Sequence, residues 1–207
     1  MGEAMDRRKK KTKQELRKAL LQLIEEKGME KVTVSDLSER ADINRGTFYL
    51  HYRDVFDFVE KIQIEILEGL AREIGTVQIT EVKTYAENGQ AFPPVLTVLR
   101  YLAKHFDFFR VMFGPNGDAS FPGQFKEFMK QHIYQNAVQH MTKQDNIPQD
   151  YLFAFMSSAQ LGLLSHWIDT EMSLRDEEIA IFITNLLYFG PVHAAGLFHS
   201  VSDTNKR

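Results

Sequence analysis

From Val32 to Arg53 the chain reads Val-Thr-Val-Ser-Asp-Leu-Ser-Glu-Arg-Ala-Asp-Ile-Asn-Arg-Gly-Thr-Phe-Tyr-Leu-His-Tyr-Arg, a run that leaves little choice of local structure. Thr33 stands three residues before Asp36, so its hydroxyl can cap the first orphan amides of a helix while the carboxylate favours the helix N-terminus. The spacing predicts a helix beginning near Val34. Leu37 and Ala41 give that helix one narrow apolar face, so it needs neighbours. Asp42 and Asn44 are residue types that stop one helix and cap the next, with Ile43 between them as an apolar plug. A second short helix is predicted from Arg45 to about Tyr49.

This second helix is too short to be a pillar of a core, and Asn44, Arg45, Gly46, Thr47 and Tyr49 are polar or small. They suit a groove. In helix-turn-helix proteins the second helix enters the DNA major groove with its N-terminal residues at the base edges, while flanking hydroxyls and cations hold phosphates. On this reading Gly46 lets the backbone approach a duplex, Phe48 anchors the helix inward, and Thr33, Tyr49 and His51 reach phosphate oxygens. Arg45 is the candidate for a base-edge contact, most naturally to guanine.

The string Arg45-Gly46-Thr47-Phe48-Tyr49-Leu50-His51-Tyr52 resembles the recognition helix, and the turn after it, of the tetracycline-repressor (TetR) family of bacterial transcription regulators. The resemblance covers roughly Thr12 to Ile66, with cap, turn, Gly-Thr-Phe-Tyr and the His-aromatic pair at the family's spacing. There is one departure. Many members carry a phosphate-binding lysine just after the turn, where this chain has Val55; Arg53 is the cation able to take its place. A helix pair alone is common in all-α cores and says nothing of DNA. The whole string is what points there.

Net charge is only -3, but it is unevenly spread. Residues 1–53 carry 13 Lys and Arg against 9 Asp and Glu, whereas the rest carries 12 against 19. The basic excess therefore lies at the helix-turn-helix end. Arg7, Arg8, Lys9, Lys10, Lys11 and Lys13 are expected to form an arm ahead of the first helix, either a solvated tail or a source of salt-sensitive phosphate contacts. Cysteine is absent, which removes disulfides and thiolate chemistry. No apolar run approaches the roughly 18 residues of a membrane span, and no apolar signal region follows the basic start. A cytoplasmic location is expected.

Elsewhere the chain reads as helices. Leu16, Ala19, Leu20, Leu23 and Ile24 predict one over Thr12 to Lys27, ended by Gly28. Val55, Phe58, Val59, Ile62, Ile66, Leu70 and Ile74 predict a long amphipathic helix opened by Asp54. From Gly75 to Pro94 the rhythm fades and a loop is expected, with at most a fragment of helix. Further helices are predicted over Val95–Lys104, Phe106–Phe113, Gln124 to about Lys143, Tyr151 to about Thr170, and Asp176 to Phe189, where Gly190-Pro191 ends or kinks the last one before His193 to Phe198. The expectation is an all-α chain of about nine helices. Residues 1–53 form the arm and DNA-binding domain, 54–74 the connecting helix, and 75–207 the ligand-binding and dimerisation body.

The stretch from Gly162 to Ile168, with Asp176 to Ala180, is similar to a TetR body type common in Gram-positive bacteria. By that resemblance the last two long helices pair with those of a second subunit. Ser157, Ser158, Ala159 and Gly162 permit close approach, and Leu186, Leu187 and Ala194 add apolar surface. Ordinary intrachain core is the competing explanation. Aromatic residues concentrate in the body, and a pocket for an apolar or aromatic effector would draw on Phe109, Phe113, Phe128, Phe155 and Ala159, with polar groups such as His132, Gln160 and His166. Aromatics at helical spacing are also ordinary core residues.

Enzyme motifs are lacking: there is no Walker loop, no Gly-x-Ser-x-Gly elbow and no His-Glu-x-x-His helix. His132 and His140 project about 80 degrees apart on an ideal helix, a poor metal pair. No cofactor or metal is expected. The resemblance implies a homodimeric repressor on a palindromic operator, released by a small molecule. The alternatives are an activator or coregulator of the same fold whose body binds a protein, and, further off, an all-α enzyme.

Overall fold

A computed structural model describes residues 2–134 and 148–196, with side chains from Lys10 onward. Among the described residues there are ten α-helices and no strand. They are α1 Gly2–Lys27, α2 Val34–Arg40, α3 Arg45–Tyr49, α4 Val55–Ile74, α5 Val82–Glu87, α6 Pro93–Lys104, α7 Phe106–Phe113, α8 Phe121–Met129, α9 Gln149–Asp169 and α10 Asp176–Ala194. A π-turn, Lys130–Tyr134, follows α8. The all-α expectation holds, and the helix beyond the expected nine is α5, the fragment inside the 75–94 stretch.

Two boundaries differ most from expectation, and the expected break at Gly190-Pro191 is a kink. The first helix starts at Gly2, ten residues early, so the backbone of the basic run is helical and does not form an arm ahead of the helix. Glu, Ala, Met, Arg and Lys are all good helix formers, and nothing between Gly2 and Thr12 breaks the pattern. Helix α8 opens at Phe121 with Pro122 in its first turn, where a missing amide costs nothing. Its expected continuation past Tyr134, with His140, lies outside the described residues, as does Phe198. At Gly190, φ 78 and ψ 166 kink α10, after which the helix resumes through Pro191 to Ala194.

The chain divides into two compact units that are interleaved in sequence. The first comprises Met1–Arg72 and His105–Glu127, the second Glu73–Lys104 and Phe128–Arg207. In the first, the predicted apolar faces of α1 and α4 are buried, with Leu20, Ile24, Phe58 and Leu70 wholly so. Helix α7 packs against α1, and Phe108, Phe109, Phe121 and Phe125 form an aromatic core with ring centroids mostly 5 to 6.5 Å apart. Arg17 lies 5.2 Å from the Phe108 ring. The turn after α7 is stitched down by Met29 N donating to Asn116 O at 3.0 Å and Asn116 Nδ2 donating to Glu25 O at 3.1 Å.

In the second unit α10 packs on α5 and α6. The buried Thr184 hydroxyl accepts from Phe92 N at 2.9 Å and donates to Ala180 O at 2.7 Å, fixing the entry to α6. Arg100 holds Asp176 and Glu177 at the start of α10 at 2.9 and 2.8 Å. Helix α9 ends in a left-handed turn: Glu171 has φ 52, Met172 N donates to Trp167 O, and the Trp167 indole donates to Leu174 O at 2.9 Å. Among the described residues no helix is long and apolar enough to cross a membrane.

Candidate nucleic-acid interface

The predicted cap at Thr33 is a reciprocal one. Asp36 N donates to Thr33 Oγ1 at 3.2 Å, and Thr33 N donates to Asp36 Oδ2 at 2.8 Å. The Thr33 hydroxyl proton goes to the same carboxylate at 2.6 Å. Lys27 Nζ, at the end of α1, is 2.6 Å from Asp36 Oδ2. The lysine ammonium and then the Thr33 hydroxyl and amide hold this carboxyl down at a pKa of about 2. A second tie, the two-pronged Arg40–Glu26 pair at 2.8 Å in each arm, fastens the other end of α2 to α1. The orientation of α2 is thereby set at both ends.

The turn that follows is a Schellman motif built without glycine. Asp42 takes the left-handed conformation with φ 51, its amide donates to Glu39 O, and Ile43 N donates to Ser38 O at 2.9 Å. Asn44 then caps α3, its Oδ1 accepting from Gly46 N at 2.8 Å. A Cβ added at Gly46 would lie 3.2 Å from that same oxygen, so the cap itself favours glycine there. Phe48 is wholly buried against Tyr52 and Phe58, at centroid distances of 5.3 and 5.8 Å. One aromatic anchor thus fixes a five-residue helix that propensity alone would not keep folded.

With Phe48 inward, Arg45, Gly46 and Tyr49 are exposed, as are Thr33, Asn44 and His51, while Thr47 is half-buried. Tyr49 is 58% exposed, with only an edge-to-face contact to Phe48 at 5.8 Å recorded for its ring among the described residues. Arg45 is not free in solution: its guanidinium donates to Ser35 Oγ in α2. The candidate residues Thr33, Asn44, Arg45, Gly46, Thr47, Tyr49 and His51 all belong to the two short helices and their flanks.

The corner after α3 contains groups that the pattern did not single out. Asp57, on the first turn of α4, is buried and takes Arg53 N at 3.0 Å, Arg53 Nε at 3.2 Å and Lys61 Nζ at 2.9 Å. Lys61, followed by Arg53, lowers its pKa to about 2. Lys61 also donates to His51 O at 3.2 Å and stands 5.4 Å from the Tyr52 ring centroid. Val55 is buried, so its position serves the core, and the more exposed of this corner's two cations is Arg53, whose side chain is 80% exposed against 51% for Lys61. Lys61 was legible in principle as the i,i+4 partner of Asp57. Ser35 carried no signal, because only folding brings α2 beside α3.

The candidate ligand residues fall in three places. Phe109 is wholly buried in the aromatic core of the first unit, with Phe113 at its edge, half-buried and 5.3 to 5.7 Å from its neighbours. Phe128 and His132 stack on each other at 4.4 Å in the second unit, where His132 Nδ1 is 3.0 Å from Phe128 O. Phe155 and Ala159 line a cleft of about 360 Å³ between α9 and α10, together with Met156, Gln160, Leu163 and Leu187. The sequence pattern missed a smaller, mainly aliphatic cavity around Val98, Leu99, Ile133 and Ile183, drawn from elements far apart in the chain.

Comparison with known proteins gives two family matches. Residues 16–54 match bacterial regulatory proteins of the tetR family, and residues 90–188 match a transcriptional regulator C-terminal region. A 168-residue stretch, 80% of this chain, is 22% identical to the HTH-type transcriptional regulator YxbF of Bacillus subtilis strain 168. The chain spans 42% of the length of that relative. Among solved structures, a TetR transcriptional regulator from Streptococcus agalactiae 2603V superposes with a TM-score of 0.65 at 20% identity, over 89% of this chain and 97% of that one. The dihydroxyacetone kinase operon activator DhaS superposes at 0.52 and 20% identity, over 91% and 98%. At these identities the likeness to the solved structures is one of fold.

Proposed function

This chain belongs to the TetR family of DNA-binding transcriptional regulators, and on that premise we propose that it is a cytoplasmic homodimeric repressor, bound to a palindromic operator and released by a small apolar or aromatic molecule. The observation that carries the reading is α3 itself, held by Phe48 and presenting Arg45 and Tyr49 to solvent with His51 beside them. Arg45 reads a base edge. Thr33, Tyr49 and His51 hold phosphates, and Arg53 adds a cation beside them. The division of labour assigns residues 1–53 to DNA, 54–74 to the connection and 75–207 to effector and dimer.

One head contacts only a half-site, so useful affinity needs two at fixed separation. Helices α9 and α10 support such pairing: Tyr151 and Phe155 are 77% and 61% exposed on α9, in line with the exposed Ala159 and Gly162, and Phe182, Phe189 and Val192 are exposed on α10. An apolar stripe of this extent on two long helices marks an interaction surface. The effector need only favour the state that does not bind DNA, by about 1 to 3 kcal/mol, to change operator affinity 5- to 150-fold.

The same stripe gives the second reading, an activator or coregulator whose body docks a different protein. Salt-dependent binding of the purified protein to genomic fragments tests the first. A short inverted repeat recovered as the tightest fragment, with one dimer bound per repeat, supports the repressor reading; a monomer that binds no repeat favours the second.

A further inference from the structure

Gln160, on α9, stands in the wall between two apolar spaces of the second unit. On one side is a cavity of about 30 Å³ whose other lining side chains are all apolar, among them Ile79, Val98 and Leu164. On the other is the α9–α10 cleft of about 360 Å³, which shares Gln160, Ile183 and Leu187 with the cavity. Gln160 Oε1 is buried and has no hydrogen-bond partner among the described residues. Among the described residues the only other polar side chain of the cleft, Tyr188, donates its hydroxyl to Glu87 Oε1 at 3.4 Å.

A buried acceptor left without a donor loses its hydration and gains nothing in return. Water is a poor remedy here, since a buried water needs two to four polar partners and the cavity's side chains supply one. The satisfying occupant donates a hydrogen bond at one point and is apolar elsewhere. Its charge is also constrained. Among the described residues no Lys, Arg, His, Asp or Glu lines either space, so an ammonium or carboxylate would surrender its hydration without a counter-ion from them.

We propose that Gln160 selects an uncharged apolar alcohol or phenol, whose hydroxyl donates to Gln160 Oε1 while its hydrocarbon part fills the cleft. Ile183 and Leu187, the other two residues of the shared wall, part to join cleft and cavity around it. The inference rests on the reading that the body binds a small effector, and it adds the chemical class and the residue that reads it.

Calorimetric titration of the full chain with 1-octanol, octyl methyl ether and octanoate tests this. The expected order is octanol roughly 3- to 10-fold tighter than the ether, the worth of one net hydrogen bond, with octanoate weakest. Gln160→Leu should still bind the ether but lose the preference for the alcohol. Gln160→Met, closer in shape, serves if the leucine variant does not fold. Equal binding of alcohol and ether by the unmodified chain, or a preference that survives in the variant, overturns the inference and leaves the effector reading standing. No binding of any of the three, by a chain with intact helical circular dichroism, overturns both.

Discussion

Arg45, the first residue of α3, donates to the hydroxyl of Ser35 in α2, so the side chain best suited to read a base is already held by the preceding helix. The bond fixes the guanidinium near one orientation before DNA arrives, which lowers the entropy lost on binding. If Arg45 reads a base, as proposed, that base must replace or share the Ser35 contact. Arg45→Ala should cost about 1 to 3 kcal/mol on the best operator and flatten the preference among operator variants, whereas Tyr49→Phe should weaken all sequences alike. Competition binding against a set of single-base operator changes separates the two; identical profiles for both variants would sink the assignment.

Acid should act on the head through two carboxylates. Asp36 and Asp57 both sit at about 2 in the folded chain, below the ordinary aspartate value, held there chiefly by Lys27 and Lys61. A folded value below the unfolded one stabilises the fold above about pH 4, and that contribution disappears as pH falls toward 2. Thermal stability followed by far-ultraviolet circular dichroism should therefore decline over that window. Asp57→Asn should be less stable at neutral pH and show a shallower acid dependence, and an unchanged slope in the double variant with Asp36→Asn would rule the two groups out as its source.

Phe48 is the sole wholly buried side chain of α3. Phe48→Ala should cost about 3 to 5 kcal/mol, as expected for emptying an aromatic site in a packed core. Phe48→Leu should cost less and retain DNA binding. Denaturant titration gives the stability, and gel-shift of the leucine variant separates loss of fold from loss of contact.

Gly117, in the turn between α7 and α8, cannot accept a side chain. An added Cβ would lie 2.4 Å from Val111 O and 2.7 Å from Met112 O, both backbone atoms that move only with the helix. Gly117→Ala should destabilise the chain by roughly 1 to 3 kcal/mol. Gly123, where the same Cβ meets nothing within 4 Å, is the control: Gly123→Ala should be neutral or stabilising.

Phe155 lies in the middle of the exposed apolar stripe of α9. If this stripe joins two subunits, Phe155→Glu places two like charges near the interface. Light scattering should then report a monomer at micromolar concentration, and operator affinity should fall by roughly 100-fold or more as the two heads come apart. A variant that stays dimeric would move the interface elsewhere.

What could be read in advance was whatever neighbours in sequence decide. Thr33 and Asp36 are three apart, so their reciprocal cap follows from spacing alone, as does Asn44 over Gly46. The buried stripe of α4 from Val55 to Ile74 follows from period, and the kink at Gly190 from the glycine and the proline after it. The early start of α1 was missed because a basic run reads as a solvated tail by charge although its residues favour helix. Phe109, Phe113 and Phe128 illustrate the opposite limit: helical spacing marks each as facing something, but not whether that is a neighbouring ring or a cavity.

The sequence by itself therefore determined the all-α class, the helix-turn-helix and its caps, because these depend on hydrogen bonds and periodicities confined to a few consecutive residues. The tertiary structure alone decided that Phe108 and Phe121 close a core beside α1, that Ser35 holds Arg45, and that Val98, Gln160 and Ile183 line one cavity. Such contacts join residues from ten to more than eighty positions apart, and which of many apolar faces meet is settled by shape and volume in the packed interior, where a difference of a methylene is felt.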